Sequence, residues 1–287
     1  MSFVHYKPEI WAAEFIVQLR KQLIYAGPQI VNHDYEGEIQ QAGDTVHISS
    51  IGDVTVSDYD DDTDLDYEDV PDAGQTLVID QQKSYAVAVK DIDKAQALNG
   101  GRAVAQIMSQ AAYRMSDAAD QFVAGKYTEI ASANVLNGSD YSGLDTTPGK
   151  LYDALVDLGV VLDENDVPTE GRYCVIPPWA HGILRKDPNF INAEKSGTTA
   201  PLINGQVGEA AGFAILKSNN VPQPSAGSTY VIQAGTPMSI SFANQIVENE
   251  ALRDQKRFRD LLRGLHVYGG KVTYPSGLAC VTLTRPS

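Results

Sequence analysis

Residues 43–93 read GDTVHISSIGDVTVSDYDDDTDLDYEDVPDAGQTLVIDQQKSYAVAVKDID, with two alternating runs on either side of an acidic centre. Apolar residues alternate with polar ones in both runs, at Val46, Ile48, Val54, Val56, Leu77, Ile79, Tyr85, Val87 and Val89. Alternation with a period of two, rich in β-branched residues, predicts β-strands. The two runs are therefore predicted to pair as an antiparallel hairpin that carries the acids near its tip.

The predicted hairpin is too long to lie on its own domain. Each arm spans about 15 residues, so at ~3.3 Å per residue the hairpin extends roughly 50 Å. A two-stranded ribbon is only marginally stable in water. The hairpin is therefore expected to lie on the surface of a partner.

The acidic charge is concentrated in one segment. The net charge is −15, and ten acids and no bases lie between Asp53 and Asp72. Without them, 27 acids face 22 bases, a balance of −5. A protein that grips nucleic acid through its phosphates needs a dense Lys/Arg patch, which the sequence does not show. Sequence-specific DNA binding is therefore not expected.

A calcium loop is an alternative interpretation of these acids. Positions 1, 3, 5, 7, 9 and 12 of an EF-hand-like register would be Asp58, Asp60, Asp62, Asp64, Asp66 and Asp69. However, Thr63 occupies the position where the sharp turn needs Gly, and Asp69 replaces the longer Glu. A solvated acidic loop is favoured over a calcium site.

Two helices are predicted in the first half of the chain. The first covers 8–27, with Pro8 near its first turn and Gly27 at its end. The second covers 102–130 and is about 40 Å long at ~1.5 Å per residue. Its apolar stripe consists of Val104, Met108, Ala111, Met115, Ala118, Phe122 and Val123. We interpret these methionines as core residues.

The second half mixes helix and sheet. After a polar loop, KLYDALVDLGVVLDEN (150–165) is predicted to be an amphipathic helix. Strands are predicted in RYCVIPP (172–178), AGFAILKSNNVP (211–222), STYVIQAG (228–235) and the C-terminal stretch. Because no regular βαβ repeat is present, the fold class is α+β.

The sequence offers no catalytic or cofactor motif. GxSxG, Walker and HExxH patterns are absent. Cys174 and Cys280 lie far apart, and the five histidines lack ligand spacing, so each histidine is predicted to be a surface or hydrogen-bonded residue. No enzyme activity, cofactor or metal is predicted. A signal peptide and an apolar run of ~18 residues are also lacking, so we expect a protein that is neither secreted nor membrane-spanning.

The order of several blocks resembles a known family. The loop beginning at GDTV, DIDKAQA (91–97) before the long helix, RYCVIPPWAHGILRKDPNF (172–190), LINGQVGEAAGFAILKSNNVP (202–222) and HVYGGKVTYPSGLACVTL (266–283) are similar, in that order, to tailed-phage major capsid proteins of the Hong Kong 97 fold. The resemblance covers nearly the whole chain.

The resemblance implies a division into four parts. Residues 1–40 would form an N-terminal arm and helix, and 41–90 an extended β-hairpin loop with its acidic tip at 53–72. A peripheral domain would comprise 91–140 and 236–287 with the spine helix 102–130, and an axial domain would comprise 141–235.

The resemblance also implies a structural function and its partners. The chain would assemble in the host bacterial cytoplasm as pentamers and hexamers of an icosahedral virion capsid around double-stranded DNA. It would work with a portal, a decoration protein and either a separate scaffolding protein or none. Alternatives are an encapsulin-like nanocompartment shell and, from another class, an acidic calcium-binding adhesion module. An enzyme ranks third.

A contact between neighbouring subunits is predicted from charge. The densest basic stretch is RDQKRFRDLLR (253–263), with five bases and two acids. Its Arg257 and Arg259 are predicted to receive the acidic loop of an adjacent subunit. The loop residues concerned are Asp58, Asp60, Asp61, Asp62, Asp64 and Asp66. The alternative, that these bases pair locally, stays open.

Overall fold

A computed structural model describes residues 24–34, 45–48, 56, 74–90, 100–144, 149–186, 208–224 and 228–286. The strands are β1 (Thr45–Ile48), β2 (Gln75–Val78), β3 (Gln81–Lys90), β4 (Val135–Leu136), β5 (Tyr173–Ile176), β6 (Glu209–Ala210), β7 (Phe213–Lys217), β8 (Thr229–Gly235), β9 (Ile240–Arg253), β10 (Arg259–Val272) and β11 (Leu278–Thr284). The helices are α1 (Gly100–Ala124), α2 (Lys150–Glu164) and α3 (Pro178–Leu184). The α+β class is confirmed.

Helix α1 is the predicted long helix. It continues as a 3₁₀ turn over Gly125–Glu129, so helical structure covers almost all of the predicted range. Its buried side includes Met115, Ala119 and Val123. The prediction that the methionines are core residues is confirmed for Met115, which is 5% exposed, because it packs with Ala112, Met108 and Tyr85.

A six-stranded sheet forms the centre of the molecule, in the order β4-β11-β8-β5-β7-β6. Alternate residues of one strand point to opposite faces, and both faces are apolar. One face packs on α2 and α3 through residues such as Cys174, Ile232 and Leu158. The other face packs on α1, β9 and β10 through residues such as Tyr173 and Val231. Burial on both faces explains why these strands are almost continuously hydrophobic.

A three-stranded sheet, in the order β3-β10-β9, lies against α1. Its two fourteen-residue strands β9 and β10 are joined by a short turn at 254–258. Their pairing shifts between Leu265 and His266, where the register shows a bulge or irregularity. β3 pairs antiparallel with β10 from Arg259↔Lys90 to Tyr268↔Gln81.

The predicted hairpin is confirmed at its root and wrong for residues 81–90. β1 and β2 pair antiparallel, from Thr45↔Val78 to Ile48↔Gln75, as the alternation predicts. Residues 81–90, however, do not pair with the described part of the first run, Thr45–Ile48. They form β3 beside β10, because Val87 and Val89 can bury their side chains with Leu262 there.

The remaining predicted elements are confirmed where the structure describes them. They are the helix at Lys150–Glu164 and the strands at Tyr173–Ile176, Phe213–Lys217, Thr229–Gly235 and Leu278–Thr284. Most of the predicted N-terminal helix, 8–23, lies outside the described residues.

The last three strands are divided between two sheets. β9 and β10 belong to the three-stranded sheet, but β11 lies in the six-stranded sheet between β8 and β4. The predicted peripheral segment 236–287 therefore contributes to both sheets. β11 is apolar on both faces, which suits an interior strand. The division into peripheral and axial domains stays a prediction.

Candidate inter-subunit surfaces

The turn between β9 and β10 carries the predicted basic contact residues. We call residues 253–260 the basic tip. Asp254 closes it, because its carboxylate accepts the N–H of Lys256 at 2.9 Å and the Nε–H of Arg259 at 2.5 Å. The Asp254 N–H donates in turn to the Arg259 carbonyl oxygen at 3.1 Å. The tip is thus held in one conformation by contacts within the subunit.

These contacts also determine the charge of Asp254. The N–H of Lys256 and then the guanidinium of Arg259 lower the pKa of the Asp254 carboxyl. Asp254 therefore stays ionised, and its bond to Arg259 persists, to lower pH than an ordinary aspartate would allow.

Three of the five bases in 253–263 pair locally. Arg253 contacts Asp260 at 2.8 Å, Arg259 contacts Asp254, and Arg263 contacts Glu250 at 2.5 Å. The two other bases, Lys256 and Arg257, are exposed and make no ion pair with any described residue. Local pairing therefore engages Arg259, whereas Arg257 keeps its charge available.

An aromatic side chain lies on the same tip. Phe258 is 84% exposed. A single exposed apolar residue is ordinary on a protein surface. Next to Lys256 and Arg257, at the end of two long strands, it adds apolar area to a surface that is already charged.

The acidic partners of the predicted contact, Asp58, Asp60, Asp61, Asp62, Asp64 and Asp66, lie outside the described residues. The structure does describe the root of the hairpin, where β1 and β2 pair; in sequence, these strands flank residues 49–74.

The hairpin root packs on its own subunit. Val46, Ile48, Leu77 and Ile79 are buried against Ala243 of β9 and Val267 of β10. The fit is close at Gly269, where an added Cβ would come within 2.4 Å of the Val78 carbonyl oxygen. A side chain at this position would push the root away from β10.

We call residues 24–34 the N-terminal segment. Its first residues contact a buried carboxylate of α1 that the sequence pattern did not reveal. Asp120 of α1 is 2% exposed. Its Oδ1 accepts the N–H groups of Ile24 at 2.8 Å and Tyr25 at 2.5 Å. Burial raises the pKa of the Asp120 carboxyl, and a hydrogen bond from Asn220 and the backbone N–H groups oppose this effect. In sequence, an acid on a long helix simply indicates a solvated face.

The histidines fit the sequence prediction only in part. His33 contacts the Ala26 carbonyl oxygen at 3.0 Å through Nε2. His266 is 1% exposed, and neither ring nitrogen has a hydrogen-bond partner among the described residues. The prediction of a surface or hydrogen-bonded residue is therefore wrong for His266, which is enclosed beside the Tyr268 ring.

The described residues contain no arrangement typical of a metal or thiol site. No group of three or more His, Cys, Asp or Glu side chains among them is placed to hold a metal ion. Cys174 and Cys280 are buried free thiols, and burial raises the pKa of Cys280 to about 11. In the same part of the chain, no helix is long and apolar enough to cross a membrane.

The comparison with known families identifies the family of this chain. A family described as phage capsid protein matches residues 74–281, most of the chain. The chain belongs to the phage capsid protein family. The predicted resemblance is thereby confirmed, and so is the predicted function of a capsid structural subunit. A search of curated proteins gives no match.

Solved structures agree with this assignment. The capsid protein is similar to a structure from Mycobacterium phage Che8, with 31% identity, 91% of each chain covered and a TM-score of 0.72. The capsid structure of the cyanophage P-SCSP1u gives 17% identity, 86% of this chain and 85% of the other covered, and a TM-score of 0.67. The SrpI encapsulin complex from Synechococcus elongatus gives 10% identity, 85% and 83% covered, and a TM-score of 0.56. The last two show a shared fold alone.

Proposed function

We propose that this capsid protein forms pentamers and hexamers of an icosahedral shell around the double-stranded DNA of a tailed phage, assembled in the host cytoplasm. Its role is structural rather than enzymatic. The observation that carries this proposal is the family match over residues 74–281, supported by 31% identity over 91% of the chain to a phage structure.

The subunit contact that we propose joins the acidic segment 53–72 to the basic tip of a neighbour. Arg257 and Lys256 receive the acids, because both are exposed and lack an ion pair among the described residues. Arg259, the other predicted receptor, already binds Asp254 and instead holds the tip in shape.

The energy of this contact is small for each subunit. An exposed ion pair contributes about 0–1 kcal/mol. Repetition around a shell makes assembly sensitive to such a contribution, and opposite charges also raise the rate at which subunits meet. Salt should weaken both effects, since the Debye length falls from ~10 Å at 0.1 M to ~3 Å at 1 M.

The overall charge suits the enclosure of DNA without tight binding. The chain carries a net charge of −15. A wall with weak affinity for phosphates lets the genome move during packaging and ejection.

Negative-stain microscopy of the expressed protein tests the proposed function. Uniform closed shells, or rings of five and six subunits, are expected at neutral pH. A protein that stays monomeric at high concentration, with or without co-expressed scaffolding protein, would contradict the proposal. Co-expression with portal and decoration proteins tests those partners separately.

A nanocompartment shell is the second candidate, because the encapsulin complex shares the fold. Nucleic acid in particles purified from infected cells supports a virion capsid. Particles that contain a co-purifying enzyme and no nucleic acid support a nanocompartment.

A further inference from the structure

Three consecutive backbone N–H groups converge on one buried carboxylate at the start of the N-terminal segment. Asp120 Oδ1 accepts from Ile24 and Tyr25, and the N–H of Ala26 also donates to this carboxylate. Successive N–H groups that point at one anion fix the backbone as a concave nest. The direction of the chain at Ile24 is therefore set by Asp120.

The second oxygen ties this anchor to the six-stranded sheet. Asn220 follows β7 and donates from Nδ2 to Asp120 Oδ2 at 2.9 Å and to Asp117 Oδ1 at 2.8 Å. The hydrogen bonds of Asp117 in the described part of the chain go to Gln121 and Asn220, not to residues 24–26. The two carboxylates share Asn220, but only Asp120 holds the N-terminal segment.

Apolar burial alone would hold the segment without orienting its first residues. Its own side chains Tyr25, Ile30 and Val31 are buried in the core, and its Asn32 bridges to Ser241 of β9. The hydrophobic effect is non-directional, whereas hydrogen bonds to a fixed carboxylate are directional.

We infer that Asp120 is a positioning residue for assembly: it sets the orientation of the N-terminal segment at residues 24–26, and hence how this segment meets a second copy of this chain. The assembly half of this inference rests on the proposed function. The local half, the orientation of residues 24–26, does not.

Hydrogen exchange of unassembled subunits tests the local half. Asp120→Ala should speed exchange of the Ile24 and Tyr25 amides about ten- to hundredfold, because a hydrogen bond to a charged group is lost. Asp120→Asn should give a smaller increase, since it keeps an oxygen acceptor but loses the charge. The matched control Asp117→Ala should leave both amides at the wild-type rate. Exchange of core amides such as Val123 should not change in Asp120→Asn.

Microscopy completes the experiment. The yield of closed shells should fall in Asp120→Ala, while Asp117→Ala should match the wild type. Unchanged amide exchange in Asp120→Ala, or in Asp120→Asn if the alanine variant is insoluble, would overturn the inference. Raised exchange with a normal yield of closed shells would overturn its assembly half. If even the wild type forms no shells, the proposed function fails, while the exchange rates still decide the role of Asp120.

Discussion

Reversing the charge of the basic tip should slow assembly without unfolding the subunit. The double variant Lys256→Glu with Arg257→Glu changes two exposed side chains that have no ion pair among the described residues. Surface changes of this kind alter the free energy of unfolding by about 0.5 kcal/mol or less. The local pairs of Arg253 and Arg259 remain, so the tip should keep its shape.

The size of the effect follows from the charges. Residues 253–260 contain four bases and two acids, a balance of +2, and the variant reverses this to −2. Lost attraction and new repulsion together amount to about 1–3 kcal/mol per contact, or roughly 5- to 150-fold in its equilibrium constant.

Light scattering at 0.1 M and 1 M salt measures the assembly rate. The variant should assemble more slowly than the wild type at 0.1 M, and the difference should shrink at 1 M because salt screens the contact. Changing Asp60, Asp61 and Asp62 to Lys in the same chain should partly restore the rate.

A matched control separates this contact from net charge. Arg185→Glu with Lys186→Glu alters two other exposed cations by the same total charge. Equal slowing by this control, or an unchanged rate for the tip variant at 0.1 M, would refute the proposed contact. The acids would then serve solubility or bind an ion.

Three further predictions concern the loop, the long helix and pH. Deleting Asp58–Asp69 should leave the unfolding midpoint unchanged but reduce shell yield, and normal yield would contradict a role for the loop at a neighbour. Met115→Asp should give insoluble subunits, because an unpaired charge in this buried site costs several kcal/mol, and a soluble, assembling variant would contradict the packing. Burial lowers the pKa of His266 to about 4, so the free energy of unfolding should fall by about 3 kcal/mol as pH drops from ~6.5 to ~4, where the unfolded chain binds the extra proton. In urea titrations, His266→Leu should remove this part of the acid sensitivity, and an unchanged pH profile would refute it.

Local sequence patterns predicted the helices and strands, but they could not predict which strands pair when these are distant in sequence. The alternation at Val46 and Leu77 predicted the hairpin root, because a half-buried strand leaves a clear period of two. The same alternation in 81–90 could not reveal which strand pairs with it, since β1 and β10 were both possible partners and only the tertiary structure assigns β10.

The contacts of polar residues were even harder to predict from the sequence. An aspartate on a helix indicates solvent, yet Asp120 is buried because three backbone N–H groups and Asn220 surround its carboxylate. Those donors come from segments about 100 residues away in sequence, which no local pattern connects. The charge of Arg259 was visible in sequence, but its engagement by Asp254 depends on the geometry of the turn.

The three elements proposed for assembly, which are the hairpin root, the N-terminal segment and the basic tip, all contact or connect strands β9 and β10. The hairpin root packs on Ala243 and Val267, the N-terminal segment bridges to Ser241, and the basic tip joins the far ends of the same two strands, β9 and β10. Because proteins are densely packed, a shift of these strands would move all three elements together. The face of the six-stranded sheet that is covered by α2 and α3 packs into a separate cluster. That cluster would stabilise the subunit, while β9 and β10 would set the relative positions of the proposed contacts.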